Sequence, residues 1–113
     1  MNMFNKIKFY ESNENGAIHT LVSFIDIEVE EYSIQDIVNF LTHSLVGDKL
    51  ELTDHFIIKE SEFEVVILNE TNEMFVKNPE NYRAKVEIES LIYLMNEKML
   101  YGLSKVKSTM KIK

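Results

Sequence analysis

The sequence predicts an α+β fold, in which an antiparallel sheet of about four strands packs on two helices in the order ββαββα and the C-terminal helix is long. Three observations predict it. Apolar and acidic residues alternate from Ile25 to Glu30, apolar residues recur at helical spacing from Ile34 to Leu45, and a broader helical stripe runs from Ile88 to Leu103. With 113 residues, 45 % of them hydrophobic and 27 % charged, the chain is sized for a single domain over residues 1–113 with a core that needs no metal or disulfide staple.

Taken in order, Phe4, Ile7, Phe9 and Tyr10 mark a short strand, closed by a polar run in which Asn15-Gly16 is a hairpin signal. Residues 18–30 read as a second strand. Ile25, Ile27 and Val29 fall on one face of it, while Asp26, Glu28 and Glu30 fall on the other. Ser33 then opens a helix with Asp36 three residues later, close to a capping box, and Ile34, Ile37, Val38, Leu41 and Leu45 form its apolar stripe. Gly47-Asp48 ends that helix. Leu50, Leu52, Phe56, Ile57 and Ile58 make one extended segment and residues 63–68 another, joined tightly through Glu60-Ser61-Glu62.

Residues 69–77 read as a loop or a short edge strand. Asn78-Pro79 opens the long helix, since Asn caps free amides and Pro loses nothing at the first helical position. The pattern continues to about Leu103. Ile88, Ile92, Met95 and Met99 follow 4-3-4 spacing, widened by Leu91, Leu94, Leu100 and Leu103. Gly102 ends or weakens the helix ahead of a short basic tail at 104–113, which carries four Lys and no acid.

Charge is divided along the chain: residues 1–76 hold fifteen Asp or Glu against four Lys, and residues 77–113 hold eight Lys or Arg against four Glu. Residues 20–48 contain neither Lys nor Arg. Such a body repels a phosphate backbone and favours a basic protein surface. The partner this predicts is a larger basic protein, such as a nuclease or another nucleic-acid-binding effector, rather than nucleic acid or a membrane. On this reading the chain is a non-enzymatic inhibitor that covers a basic site with Asp26, Glu28, Glu30, Glu31 and Tyr32 together with Glu60, Glu62 and Glu64. Eleven Lys to one Arg is as expected of an AT-rich genome, and the profile of a short, acidic, cysteine-free α+β domain without a catalytic motif resembles that of many small phage or mobile-element inhibitors and toxin immunity proteins.

Two other readings compete with it. Ile88, Ile92, Met95 and Met99 could form the seam of a homodimer with a structural or assembly role. His19, His43 and His55 beside the acidic row could build a metal-dependent hydrolase, although none has the close spacing of a recognised metal site. The chain has no cysteine, no nucleophile-elbow motif and only three glycines, so thiol chemistry is excluded and a glycine-rich phosphate cradle is not encoded. No cofactor is predicted. The longest apolar runs, 65–68 and 91–95, fall well short of the roughly 18–20 residues that span a bilayer, and a secretory apolar segment is missing from the first residues, which predicts a cytoplasmic protein.

Overall fold

The structure, a computed structural model, describes residues 14–110. Two helices come first, α1 (Glu14–Glu28) and α2 (Ile34–His43), followed by strands β1 (Lys49–Glu51), β2 (His55–Lys59) and β3 (Glu64–Asn69). A short helix α3 (Glu70–Phe75) and a 3-10 turn (Pro79–Tyr82) lead to β4 (Ala84–Glu87), then helices α4 (Ile88–Tyr101) and α5 (Leu103–Thr109) close the chain. The fold is α+β. Its four strands form one antiparallel meander in the order β1-β2-β3-β4, with Ile57 opposite Ile67 and Val65 opposite Val86.

The element order differs from ββαββα in several places. The expected first strand, at 4–10, lies outside the described residues. Residues 14–28 are helical rather than extended. Ala17, Leu21, Phe24, Ile25 and Glu28 recur at intervals of four, three, one and three, and all five are buried on one side of α1. The alternation from Ile25 to Glu30 covers only the last turn and the chain beyond it, so tertiary burial of the longer stripe prevails. Residues 69–77 contain α3, where Asn69 caps the helix by accepting the Asn72 amide at 3.0 Å. Pro79 does start a helical turn, but a 3-10 one of four residues, and the chain then enters β4. The long helix therefore begins at Ile88.

Period-two alternation sets the sheet faces. His55, Ile57 and Lys59 of β2, Val65 and Ile67 of β3, and Ala84 and Val86 of β4 are buried on the face that meets α1, α2 and α4. Leu21, Phe24 and Ile25 from α1, Ile37 and Leu41 from α2, and Leu91, Leu94 and Met95 from α4 complete the core. No helix among the described residues is long and apolar enough to cross a membrane.

Gly102 interrupts the last helical stretch. Its φ of +93° with ψ of 173° lies in a region that side chains with a Cβ avoid, and it turns the chain from α4 into α5. The basic segment is thus helical over residues 104–109, docked on α1 and α4 through the buried Val106, with Lys105 and Lys107 outward. Replacing Gly102 with Ala meets no steric neighbour, so its cost is backbone strain alone. We expect Gly102→Ala to lower unfolding stability by about 1–3 kcal/mol in urea titrations with an unchanged m-value.

Candidate functional site

The acidic residues singled out in the sequence do not form one surface. In a helix the directions of Asp26 and Glu28 differ by about 200°, so Asp26 is exposed while Glu28 is buried. The Glu28 carboxylate accepts the backbone amides of Thr53 at 3.1 Å and Asp54 at 2.8 Å, and Nδ1–H of His55 at 2.7 Å. It therefore clasps the β1–β2 turn and offers no exposed carboxylate at the surface. Glu30 is half-buried and paired with Lys98 at 3.1 Å, whose ammonium also donates to the carbonyls of Asp26 and Val29 at the end of α1. Glu31 and Tyr32 stay exposed.

Glu60 and Glu62 are exposed and Glu64 half-buried at the β2–β3 turn. That turn lies at the other end of β2 from the Glu28 clasp, roughly 16 Å away at strand rise. The residues singled out thus fall into two separate groups, and in the first of them Glu28 and Glu30 are taken up by internal contacts while Asp26, Glu31 and Tyr32 stay exposed. The C-terminal cations account for part of this. Besides Lys98, Arg83 makes a two-point pair with Glu73, at 3.0 and 2.7 Å, and Lys85 stands 3.9 Å from Glu60.

The dimer seam is also altered. Ile88 and Met95 are buried in the core and Ile92 packs against it, leaving Met99 as the one exposed member of the four. The large side chains that α4 leaves outside are instead Tyr93, Leu100 and Tyr101, together with Met99. The histidines do not converge either: His19 and His43 are exposed on α1 and α2, and His55 is buried against Glu28. Among the described residues no group of three or more His, Asp or Glu could hold a metal ion.

Two polar side chains on β2 are buried in the core, His55, a candidate metal ligand in the sequence, and Lys59, which the sequence did not single out. His55 packs edge-on against Phe24, with ring centroids 5.9 Å apart, and its Nε2 faces Asn69 Nδ2 at 3.5 Å. Because Asn69 Oδ1 accepts the Asn72 amide, its amino group is the one that faces the ring. Nε2 is therefore the acceptor, and Nδ1 carries the hydrogen given to Glu28. Lys59 is buried with Nζ donating to the Leu41 carbonyl at 2.8 Å, in the last turn of α2 where carbonyls lack helical partners. The alternation His55, Ile57, Lys59 was the available signal, since it places both polar residues on the core face.

The arrangement at the β2–β3 end is different in kind. Ser61 Oγ accepts the amides of Phe63 and Glu64, the Glu64 carbonyl accepts the amides of Glu60 and Ser61, and the Phe63 carbonyl accepts the Ile88 amide at 2.8 Å. The backbone is held, yet the Phe63 ring is 71 % exposed. Facing it is the 44–48 loop, where Gly47 at φ +94° allows a tight turn and Asp48 Oδ2 accepts the Leu45 amide. Gly47 donates to the Lys59 carbonyl at 2.8 Å and Lys59 donates back to the Asp48 carbonyl at 2.9 Å, which fastens the loop to β2. Leu45 and Val46 are nonetheless 74 % and 62 % exposed. Between loop and turn is a cleft of about 420 Å³ lined by Thr42, Ser44, Leu45, Val46, Lys59, Glu62 and Phe63. A second, of about 270 Å³, lies beyond Phe63 among Glu62, Glu87, Ile88 and Glu89.

These contacts separate structural from surface acids. Glu28→Ala leaves two backbone amides and an imidazole N–H without their acceptor, and we expect it to cost about 3 kcal/mol or more. Asp26→Ala, on the exposed side of the same turn, should change stability by less than about 0.5 kcal/mol. Parallel urea denaturation of the two variants checks the contrast.

Comparison with known proteins adds no relative to this geometry: no family model matches the chain, and neither a curated protein nor a solved structure matches it.

Proposed function

We propose that the chain is a non-enzymatic protein-binding module that covers a basic surface of a larger protein, and that it does so with the β2–β3 end of the molecule. The observation that carries this reading is the set of three large apolar side chains, Leu45, Val46 and Phe63, more than three-fifths exposed on pinned backbone beside carboxylates. Exposed apolar groups that adjoin one another beside polar residues are characteristic of protein contact sites. Phe63 supplies a central aromatic of the type that dominates interface energies.

The carboxylates set the sign of the partner. Glu60 and Glu62 stand on the turn, Asp48 on the facing loop, and Glu87 and Glu89 behind Phe63. Lys59 lines the cleft too, but its ammonium is buried and directed to the Leu41 carbonyl. A formal net charge of −7 adds long-range attraction toward a cationic protein and repulsion from nucleic acid. A nucleic-acid-binding groove on an effector such as a nuclease has the complementary chemistry, and blocking it would make this chain an inhibitor. The contact residues on this reading are Glu60, Glu62, Phe63, Leu45 and Val46, which moves the emphasis away from Glu28 and Glu30.

The test compares two double variants as baits for proteins retained from lysate and identified by mass spectrometry. Glu62→Lys with Phe63→Ala should abolish retention of a cationic protein, whereas Asp26→Lys with Glu31→Lys should preserve it. All four positions are exposed, so both baits should keep the fold and unfold within about 0.5 kcal/mol per site of the parent. Loss of retention only in the Asp26/Glu31 bait, or retention of no protein above the control, would overturn the reading.

A further inference from the structure

We infer that the cleft between Phe63 and the 44–48 loop receives an arginine side chain of the partner, and this rests on the reading just given. Glu62 and Phe63 are adjacent on a turn held by Ser61, with the carboxylate and one wall of the cleft formed by the aromatic ring. Among the described residues neither Glu62 nor the Phe63 ring is engaged by a Lys or Arg. The opposite wall is Leu45 and Val46, which suits the methylene stem of a long cationic side chain. Thr42 and Ser44 line the cleft where α2 ends, at a helix terminus whose Leu41 carbonyl is already taken by Lys59 Nζ.

The molecule already holds a cation with the same two groups elsewhere. Lys49 lies over the Phe56 ring, 4.8 Å from its centroid, and pairs with Glu51 at 3.1 Å. Phe63 with Glu62 repeats the aromatic and the carboxylate. A guanidinium fits this second pair better than an ammonium because it is planar, stacks on a ring face and donates two parallel hydrogen bonds to a carboxylate.

The partner is therefore a protein segment with an exposed arginine rather than a surface of lysines. The probe is a capped pentapeptide with one central arginine, titrated into isotope-labelled full-length chain, beside the lysine peptide and the citrulline peptide, which keeps the shape but loses the charge. Saturable shifts at residues 44–46 and 62–63 and in the Phe63 ring, strongest with arginine and lost with citrulline, are expected. Glu62→Gln and Phe63→Leu should each weaken arginine binding about two- to fivefold without altering the spectrum of the core. Equal binding of the citrulline or lysine peptide, shifts that map elsewhere, or no saturable shift would overturn the assignment. The wider reading fails separately, because it depends on retention of a cationic protein by the Glu62/Phe63 end whatever its cationic side chains are.

Discussion

The Glu28 carboxylate is the interaction on which the arrangement of helices over sheet most depends. It comes from the last turn of α1 and is met by three donors from the β1–β2 hairpin, so one side chain ties the end of α1 to the turn beneath it. A buried carboxylate is tolerable only when its oxygens are satisfied. Here they are, and the satisfaction propagates: His55 reaches Asn69, Asn69 caps α3, and the Glu70 amide donates to the Asp54 carbonyl at 2.9 Å. The end of the molecule around that hairpin is knit by polar bonds, although Met74 and Phe75 of the adjoining α3 are exposed there, and the end around Phe63 leaves Phe63, Leu45 and Val46 to solvent.

The same division explains where the uneven charge of the chain goes. Cations from the C-terminal third fold back onto acids of the first two-thirds, Lys98 onto Glu30 and Arg83 onto Glu73. Lys98 also gathers the last carbonyls of α1, a contact in which charge, hydrogen bonding and helix dipole act in one direction. A split visible in the linear sequence is thus partly cancelled in three dimensions. What survives is local, and Glu62 at the β2–β3 turn is part of it.

The fold was readable where one periodicity dominated. Ile34, Ile37, Val38 and Leu41 have no competing pattern and α2 forms over them, but it stops at His43, so Leu45 of the same stripe lies exposed in the loop beyond it. The tight link at 60–63 between two strands follows equally from its polar residues. Residues 14–28 were not readable from their last third, because Ile25 to Glu30 alternates by two while Ala17, Leu21, Phe24 and Ile25 obey a longer helical period. Pro79 correctly starts a helical turn but says nothing of where the turn stops, and Ala84 to Glu87 alternates just enough to become an edge strand. Of the site, Glu60 and Glu62 could be found from composition. Glu28 could not be told from an exposed acid without its three donors, and Phe63, heading an apolar run, looks like core until the turn rotates it outward.

Ser61 gives the exposed end a property that its composition alone would not confer. Its hydroxyl holds two amides of the turn, and the facing loop is hydrogen-bonded to Lys59 on both sides of the residue. Flexible contact loops surrender conformational entropy when they dock. Here folding has already exacted that loss, so docking at this end, as proposed, would freeze little more than the side-chain rotors of Phe63, Leu45 and Val46.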